Sequence, residues 1–278
     1  MFLKQGTMKK ILGFGFGLLM GLPSISIAQK TVYFGAKAGL SIPSLQAGES
    51  KNIWNKDYKS RIGPSFGLFA EIPLNKNFSL VPELNFAGQG GKRNNIQPMS
   101  IPEEYVAAFQ TAFNTTETYI FANLKNTSRI NFLQIPLQLK YNRALTANGK
   151  LKAYAQFGPF VGFMLLGKQI VSSKELHVYL DEQGTKEIPA TLVEAFFGTS
   201  VDTIIDAKKD LYHWNYGIQG SVGFSLEIGK GKLLLEGGGN YGFRYLQKGD
   251  EHGKNRIGAG TVVLGYAFPF NFGKKKEL

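Results

Sequence analysis

Residues 213–228 read HWNYGIQGSVGFSLEI. Trp214, Tyr216, Ile218, Val222, Phe224, Leu226 and Ile228 occupy every second place, with Gly220 as the one gap. His213, Asn215, Gly217, Gln219, Ser221, Gly223, Ser225 and Glu227 stand between them. A period of two describes a strand with one apolar and one polar face. Such a strand has two uses. In a water-soluble sandwich or small soluble barrel the apolar face points inward. In a barrel embedded in lipid it points outward, with polar residues turned to the interior.

Seven further segments share the pattern, at about 31–42, 62–72, 78–89, 130–142, 151–166, 233–245 and 256–270. Most run ten residues or more, longer than the usual globular strand and long enough to cross a bilayer at a tilt. Their connections alternate. Short ones fall at 73–77, 143–150 and 229–232, and longer ones at 43–61, 90–129, 167–212 and 246–255. Tight turns on one side and long loops on the other are the layout of a barrel inserted from the periplasm. A sandwich gives no reason for it.

The polar faces decide the direction. They carry Lys37, Glu71, Glu83, Lys140, Lys152, Glu227, Glu236 and Arg244, with Gln134, Gln138, Gln156, Gln219, Asn85, Asn215 and Asn240. Eight charges in a dry core would each cost several kcal/mol in desolvation. Lining a lumen with water and mutual ion pairs, they are tolerable. The expected fold is therefore all-β: an eight-stranded antiparallel transmembrane β-barrel, an up-and-down meander, with its apolar faces toward lipid.

The N-terminus fits that destination. Lys9 and Lys10 precede an apolar stretch, 11–28, that ends Ser26-Ile27-Ala28. This is the layout of a secretory signal peptide, expected to span 1–28 and leave a barrel domain over 29–278. Met8 opens a more typical signal than Met1, so either could be the start. The chain has no cysteine and so forms no disulfide staples. Its formal net charge of +12 is spread thinly, without a basic stripe interleaved with aromatics, which argues against nucleic acid as a partner.

Five stretches, YFGAKAGLSI, GPSFGLFAEIPL, INFLQIPLQLKY, YAQFGPFVGFML and GTVVLGYAFPF, resemble the Bacteroidota-type, PorT-like outer-membrane β-barrel domains. These motifs mark strands rather than chemistry. The resemblance implies location in the cell outer membrane and a fold without an assigned activity. Tyr266-x-Phe268-x-Phe270 resembles the C-terminal aromatic signal read by barrel-assembly machinery, although the chain continues NFGKKKEL.

No catalytic, cofactor or metal site emerges. His177 and His252 fall in expected loops without metal-ligand spacing. Ser221 and Ser225 lie eight or more residues from His213, roughly 26 Å at strand rise, too far for a dyad. GGGNYG (237–242) lacks the strand-to-helix context of a phosphate loop. The chain is therefore expected not to be an enzyme. The informative surface is in the loops. PEEYVAAFQTAF (102–113) sets Tyr105, Phe109 and Phe113 on one face of a short helix with acids at its start, and IPATLVEAFFGTSVDTII (188–205) suits a second. Both helices are expected either to bury their apolar faces over the barrel mouth or to form a contact surface.

The expected role is structural or binding, as a monomer. The alternatives are a narrow channel and a lipid-modifying rim hydrolase. Lys51, Lys56, Lys59, Arg61, Lys92, Arg93, Lys125 and Arg129 would suit outer-membrane lipid or lipopolysaccharide headgroups.

Overall fold

A computed structural model describes residues 31–47, 53–54, 56–249 and 254–271. The signal segment 1–28, Lys51, His252 and the C-terminal tail lie outside them.

Eight long strands form the barrel: β1 (Thr31–Ala47), β3 (Gly63–Pro73), β4 (Phe78–Ser100), β5 (Tyr119–Ala144), β6 (Leu151–Ser173), β9 (Trp214–Ile228), β10 (Gly231–Gly242) and β11 (Asn255–Asn271). Each pairs antiparallel with the next, and β1 pairs with β11 from Thr31↔Asn271 to Ala47↔Asn255, which closes the ring. Closure leaves no open edge in the barrel proper, whereas above it β4 pairs beyond Lys92 with β5 alone. Among the described residues no helix is long and apolar enough to cross a membrane; crossing is done by strands.

The apolar faces point outward. Phe66, Leu68, Ile135, Leu137, Leu139, Phe157, Val222, Phe224, Leu264 and Phe268 are all exposed, while Gln134, Gln138, Lys140, Gln156, Ser221, Ser225 and Glu236 are buried. This is the inverse of a water-soluble protein, and it settles the direction left open by the alternation.

The start of β1 at Thr31 and the end of β11 at Asn271 share one rim with three short turns. At the first, Asn75 Oδ1 accepts from the backbone N–H groups of Asn77 and Phe78, both at 2.9 Å. The third is tighter than the sequence suggests. Ile228 pairs directly with Gly231, so the turn is only residues 229–230, with Gly229 at φ 61°. A two-residue hairpin turn requires such positive φ values. Gly231 and Lys232 are thereby released from the expected turn into β10.

The opposite end departs further from expectation. Stretches 90–129 and 167–212, expected as loops, are in large part strand. The β4–β5 ladder continues to Ser100↔Tyr119, which carries it roughly 40 Å past Gly88 at strand rise. The β5–β6 ladder continues to Lys125↔Ser172. Three short strands flank this tower: β2 (Lys59–Ser60) on β4, β7 (Val178–Tyr179) on β5, and β8 (Val201–Asp206) on β6. Helix α1 (Glu103–Phe113) sits at its tip and α2 (Ala190–Phe197) beside it. The second helix is shorter than its apolar stretch because Gly198 ends it.

The lumen and the cap

Six charges fill the middle of the barrel as two triads of opposite net sign. Glu71 accepts from Lys140 Nζ at 2.8 Å and from Lys232 Nζ at 2.6 Å. Lys37 Nζ lies 2.8 Å from Glu83 and 3.2 Å from Glu236. The first triad holds one carboxylate and two ammoniums; the second holds the reverse. Tyr154 links them: its hydroxyl donates to Glu236 at 3.2 Å, and Lys140 Nζ lies 3.8 Å above its ring. Gln156 donates to Glu236 at 3.1 Å, and Asn85 to Glu83 at 2.7 Å. Buried charges of both signs are tolerable only when they are paired and hydrogen-bonded in this way.

The structure therefore brings together Lys37, Glu71, Glu83, Lys140 and Glu236 from the expected lumen set. Lys152 and Glu227 pair separately at 3.1 Å on the short-turn rim, both more than a third exposed, where a pair is worth little. Arg244 is not in the lumen. Strand β10 ends at Gly242, and the Arg244 guanidinium stacks 3.6 Å above the Tyr212 ring and 4.3 Å from that of Trp214. The aromatic alternation of Tyr241, Phe243 and Tyr245 runs on past the last ladder pair, which made the strand look longer than it is. Lys232 is hidden in the sequence for the opposite reason, since a four-residue turn over 229–232 places it outside the barrel.

The middle of the lumen is packed rather than wet. Phe69, Val81, Tyr154, Leu234 and Ala267 form an apolar layer within it. A second layer, Ile130, Phe132, Met164, Leu211, Leu246 and Ile257, closes the tower end. Between the triads, Lys37, Glu83, Lys140, Gln156 and Glu236 border a cavity of about 10 Å³, at the lower limit of room for one water. Toward the short-turn rim the lumen opens into a polar vestibule of about 560 Å³ that ends at Glu71 and Lys232.

The tower has its own core: Ile101, Phe109, Ile120, Ala122, Leu124, Leu176, Val178, Ile188 and Val193. Phe109 is 2% exposed at its centre. Tyr105 and Phe113 pack partly buried against the same cluster, and Tyr105 meets the Phe196 ring edge-on at 5.6 Å. The apolar face of α1 is thus turned inward against α2 and the hairpin, so Tyr105, Phe109 and Phe113 hold the cap together rather than presenting a free surface. At one edge of the cap, Asp181 accepts from the Thr185 hydroxyl and the backbone N–H groups of Thr185 and Lys186. The Thr185 hydroxyl is the main reason its carboxyl stays below the usual range.

The histidines and serines singled out in the sequence are not assembled. His177 Nδ1 sits 2.7 Å from Glu187 in the cap. His213 Nε2 lies 3.0 Å from the Lys208 carbonyl at the tower end, while Ser221 and Ser225 are buried in the lumen. Among the described residues no group of three His, Cys, Asp or Glu side chains is placed to hold a metal.

The basic residues of the long connections divide into two groups. Lys56 pairs with Glu182. Arg93 is buried, donating to the Ile53 carbonyl and to Asn95, both at 2.9 Å. Lys59, Lys92, Lys125 and Arg129 stay exposed on the outer face, with Arg61 half-buried beside them.

Similar architectures occur among solved structures. Neisserial surface protein A is 13% identical, with 86% of this chain and 97% of that one covered at a TM-score of 0.39. Ail, the attachment invasion locus protein of Yersinia pestis, is 12% identical over 87% and 100% at 0.34. OprG from Pseudomonas aeruginosa is 10% identical over 88% and 98% at 0.38. Among curated proteins nothing matches the chain. Residues 27–247 match the family described as outer membrane protein beta-barrel domain. With its lipid-facing apolar belt, charged lumen and closed eight-strand ring, the chain belongs to that family of outer-membrane barrels.

Proposed function

We propose that the protein is a non-conducting, non-enzymatic barrel that anchors the external tower as a binding surface. It is exported by a signal peptide cleaved after Ala28, inserted by barrel-assembly machinery and active as a monomer. The observation that carries the reading is the packed lumen. An eight-stranded barrel has an interior its side chains just fill, and here two charge triads and two apolar layers occupy it. The closed ring supports the monomer, since the barrel proper offers no strand edge to a second copy. The separation of His213 from Ser221 and Ser225 supports the absence of hydrolase chemistry; a serine-reactive probe is expected to leave the protein unlabelled. The five strand motifs support a place among the PorT-like, Bacteroidota-type members.

Planar bilayers test the central part. The folded protein is expected to give no current steps above baseline in molar salt. Stable, reproducible steps would make the vestibule the mouth of a pore and favour the narrow channel instead.

A further inference from the structure

The outer face of the tower base carries an arrangement that the barrel does not need. Arg129 on β5 stands directly opposite Lys168 on β6, and Lys59 on β2 directly opposite Lys92 on β4. Like charges opposite one another in an antiparallel ladder are destabilising. Gly90, which lacks a side chain, lies opposite Arg129 on its other side. Next to it in the ladder, Arg61 follows Ser60, the partner of Gly91. The Arg61 Nη1 atom is buried without a hydrogen-bond partner. Burial, and secondly the like charge of Arg129, hold the Arg61 guanidinium below its usual value.

No carboxylate among the described residues comes within ion-pair distance of these five cations. Asp206 stands opposite Lys168 on β8, but its carboxylate accepts from the Lys208 backbone N–H at 3.0 Å. A cluster of like charges and an orphaned guanidinium nitrogen call for an anion from outside the chain.

The surroundings say which kind. Along the outward face of β5 the residues run Leu139, Leu137, Ile135 and Leu133, then Asn131, Arg129, Thr127, Lys125 and Asn123. Leu133, Phe163 and Trp214 form one cross-strand row at the upper edge of the apolar belt. Arg129 lies four residues above it, roughly 10 Å along the membrane normal for a strand tilted by about 40°. That is the level of the outer-leaflet headgroups. Higher still, a groove of about 770 Å³ is lined by Asn94, Asn123, Lys125, Ser172, Lys174 and Asp202, side chains suited to hydroxyl-rich ligands. One face thus passes from apolar to cationic to amide- and hydroxyl-lined.

We propose that this face binds a phosphorylated glycolipid of the outer leaflet. Its phosphate sits among Arg61, Arg129 and Lys168, with Lys59 and Lys92 next to it. The acyl chains lie along Ile135 and Leu137, and the saccharide occupies the groove above. The proposal rests on the reading of the tower as the external binding surface, and names its ligand.

Native mass spectrometry of the full chain in detergent tests it with bis-phosphorylated lipid A, its fully dephosphorylated counterpart and inorganic phosphate as competitor. The protein is expected to retain the phosphorylated lipid and not the dephosphorylated one. Arg129→Ala/Lys168→Ala is expected to lower retention at least about tenfold, the scale of lost charge-assisted contacts. Lys76→Ala/Lys150→Ala, on the short-turn rim, is expected to leave it unchanged. Because it relieves a repulsion, the Arg129/Lys168 variant should unfold no earlier than the parent in lipid-free detergent, and it should keep its compact unboiled band on a gel. Equal retention of both lipids, or an unaffected Arg129/Lys168 variant, would overturn the proposal. So would displacement of the lipid by millimolar phosphate, which would make this a site for a free anion. Loss of the compact band from the parent protein itself would instead count against the barrel.

Discussion

Glu71→Gln is expected to destabilise the barrel by roughly 3–5 kcal/mol, the usual consequence of leaving a buried charge without its partner. Two ammonium groups depend on this one carboxylate, at 2.8 and 2.6 Å, and all three side chains are buried. Without it, Lys140 and Lys232, both buried at the inner end of the vestibule, repel one another with no carboxylate between them. The urea midpoint of the compact gel band measures the effect in detergent. Neutralising the triad as a whole, with Glu71→Leu, Lys140→Met and Lys232→Met, is expected to recover most of the loss, because well-packed apolar groups often replace a buried ion pair at little cost. An unchanged midpoint for Glu71→Gln would mean that water reaches the triad and that the lumen is not packed.

The second large effect is confined to the cap. Phe109→Ala is expected to cost about 3–5 kcal/mol, as truncating a fully buried aromatic does, but only in the tower. The core around Phe109 shares no residue with the two apolar layers of the barrel. Trypsin should therefore cut the variant at cap sites such as Lys186 that resist in the parent. Its heat-modifiable band should remain, shortened by proteolysis but still compact. A variant that loses the band altogether would show that cap and barrel fold as one unit.

How far the sequence discloses this architecture depends on where lipid stops. Between Phe78 and Gly88, or between Asn131 and Tyr141, one face of each strand meets lipid and the other meets the lumen, so the chain must alternate. Above that level both faces of the sheet can meet water. Stretches such as GGKRNNIQPMS and NLKNTSR then carry amides and cations without regard to face, and they read as loops although they pair rung by rung. Five of the lumen charges, Lys37, Glu71, Glu83, Lys140 and Glu236, were legible because they stand on the polar faces of alternating strands. Their partners were not. Pairing depends on register, which a two-residue turn at Gly229 fixes and which brings Lys232 in with it. The apolar lumen residues Phe69 and Leu234 were also hidden, each flanked by apolar neighbours that face lipid. The cap helix was visible from its i, i+4, i+8 aromatics. That these close a core rather than face a partner follows only from the hairpin folding beneath them.

The chain faces its apolar residues outward around a packed lumen, and that arrangement can be read residue by residue. It contains no cysteine, so single cysteines can report on it without background. Val222 and Phe224 are 63% and 52% exposed, while Ser221 and Ser225, which flank them, are 8% and 4% exposed. The measurement is quenching by lipid-attached nitroxides of a fluorophore on Val222→Cys, Phe224→Cys, Ser221→Cys or Ser225→Cys, with the protein folded into vesicles. Strong quenching at positions 222 and 224 with little at 221 and 225 is the predicted result. The reverse order, or equal quenching at all four, would contradict it.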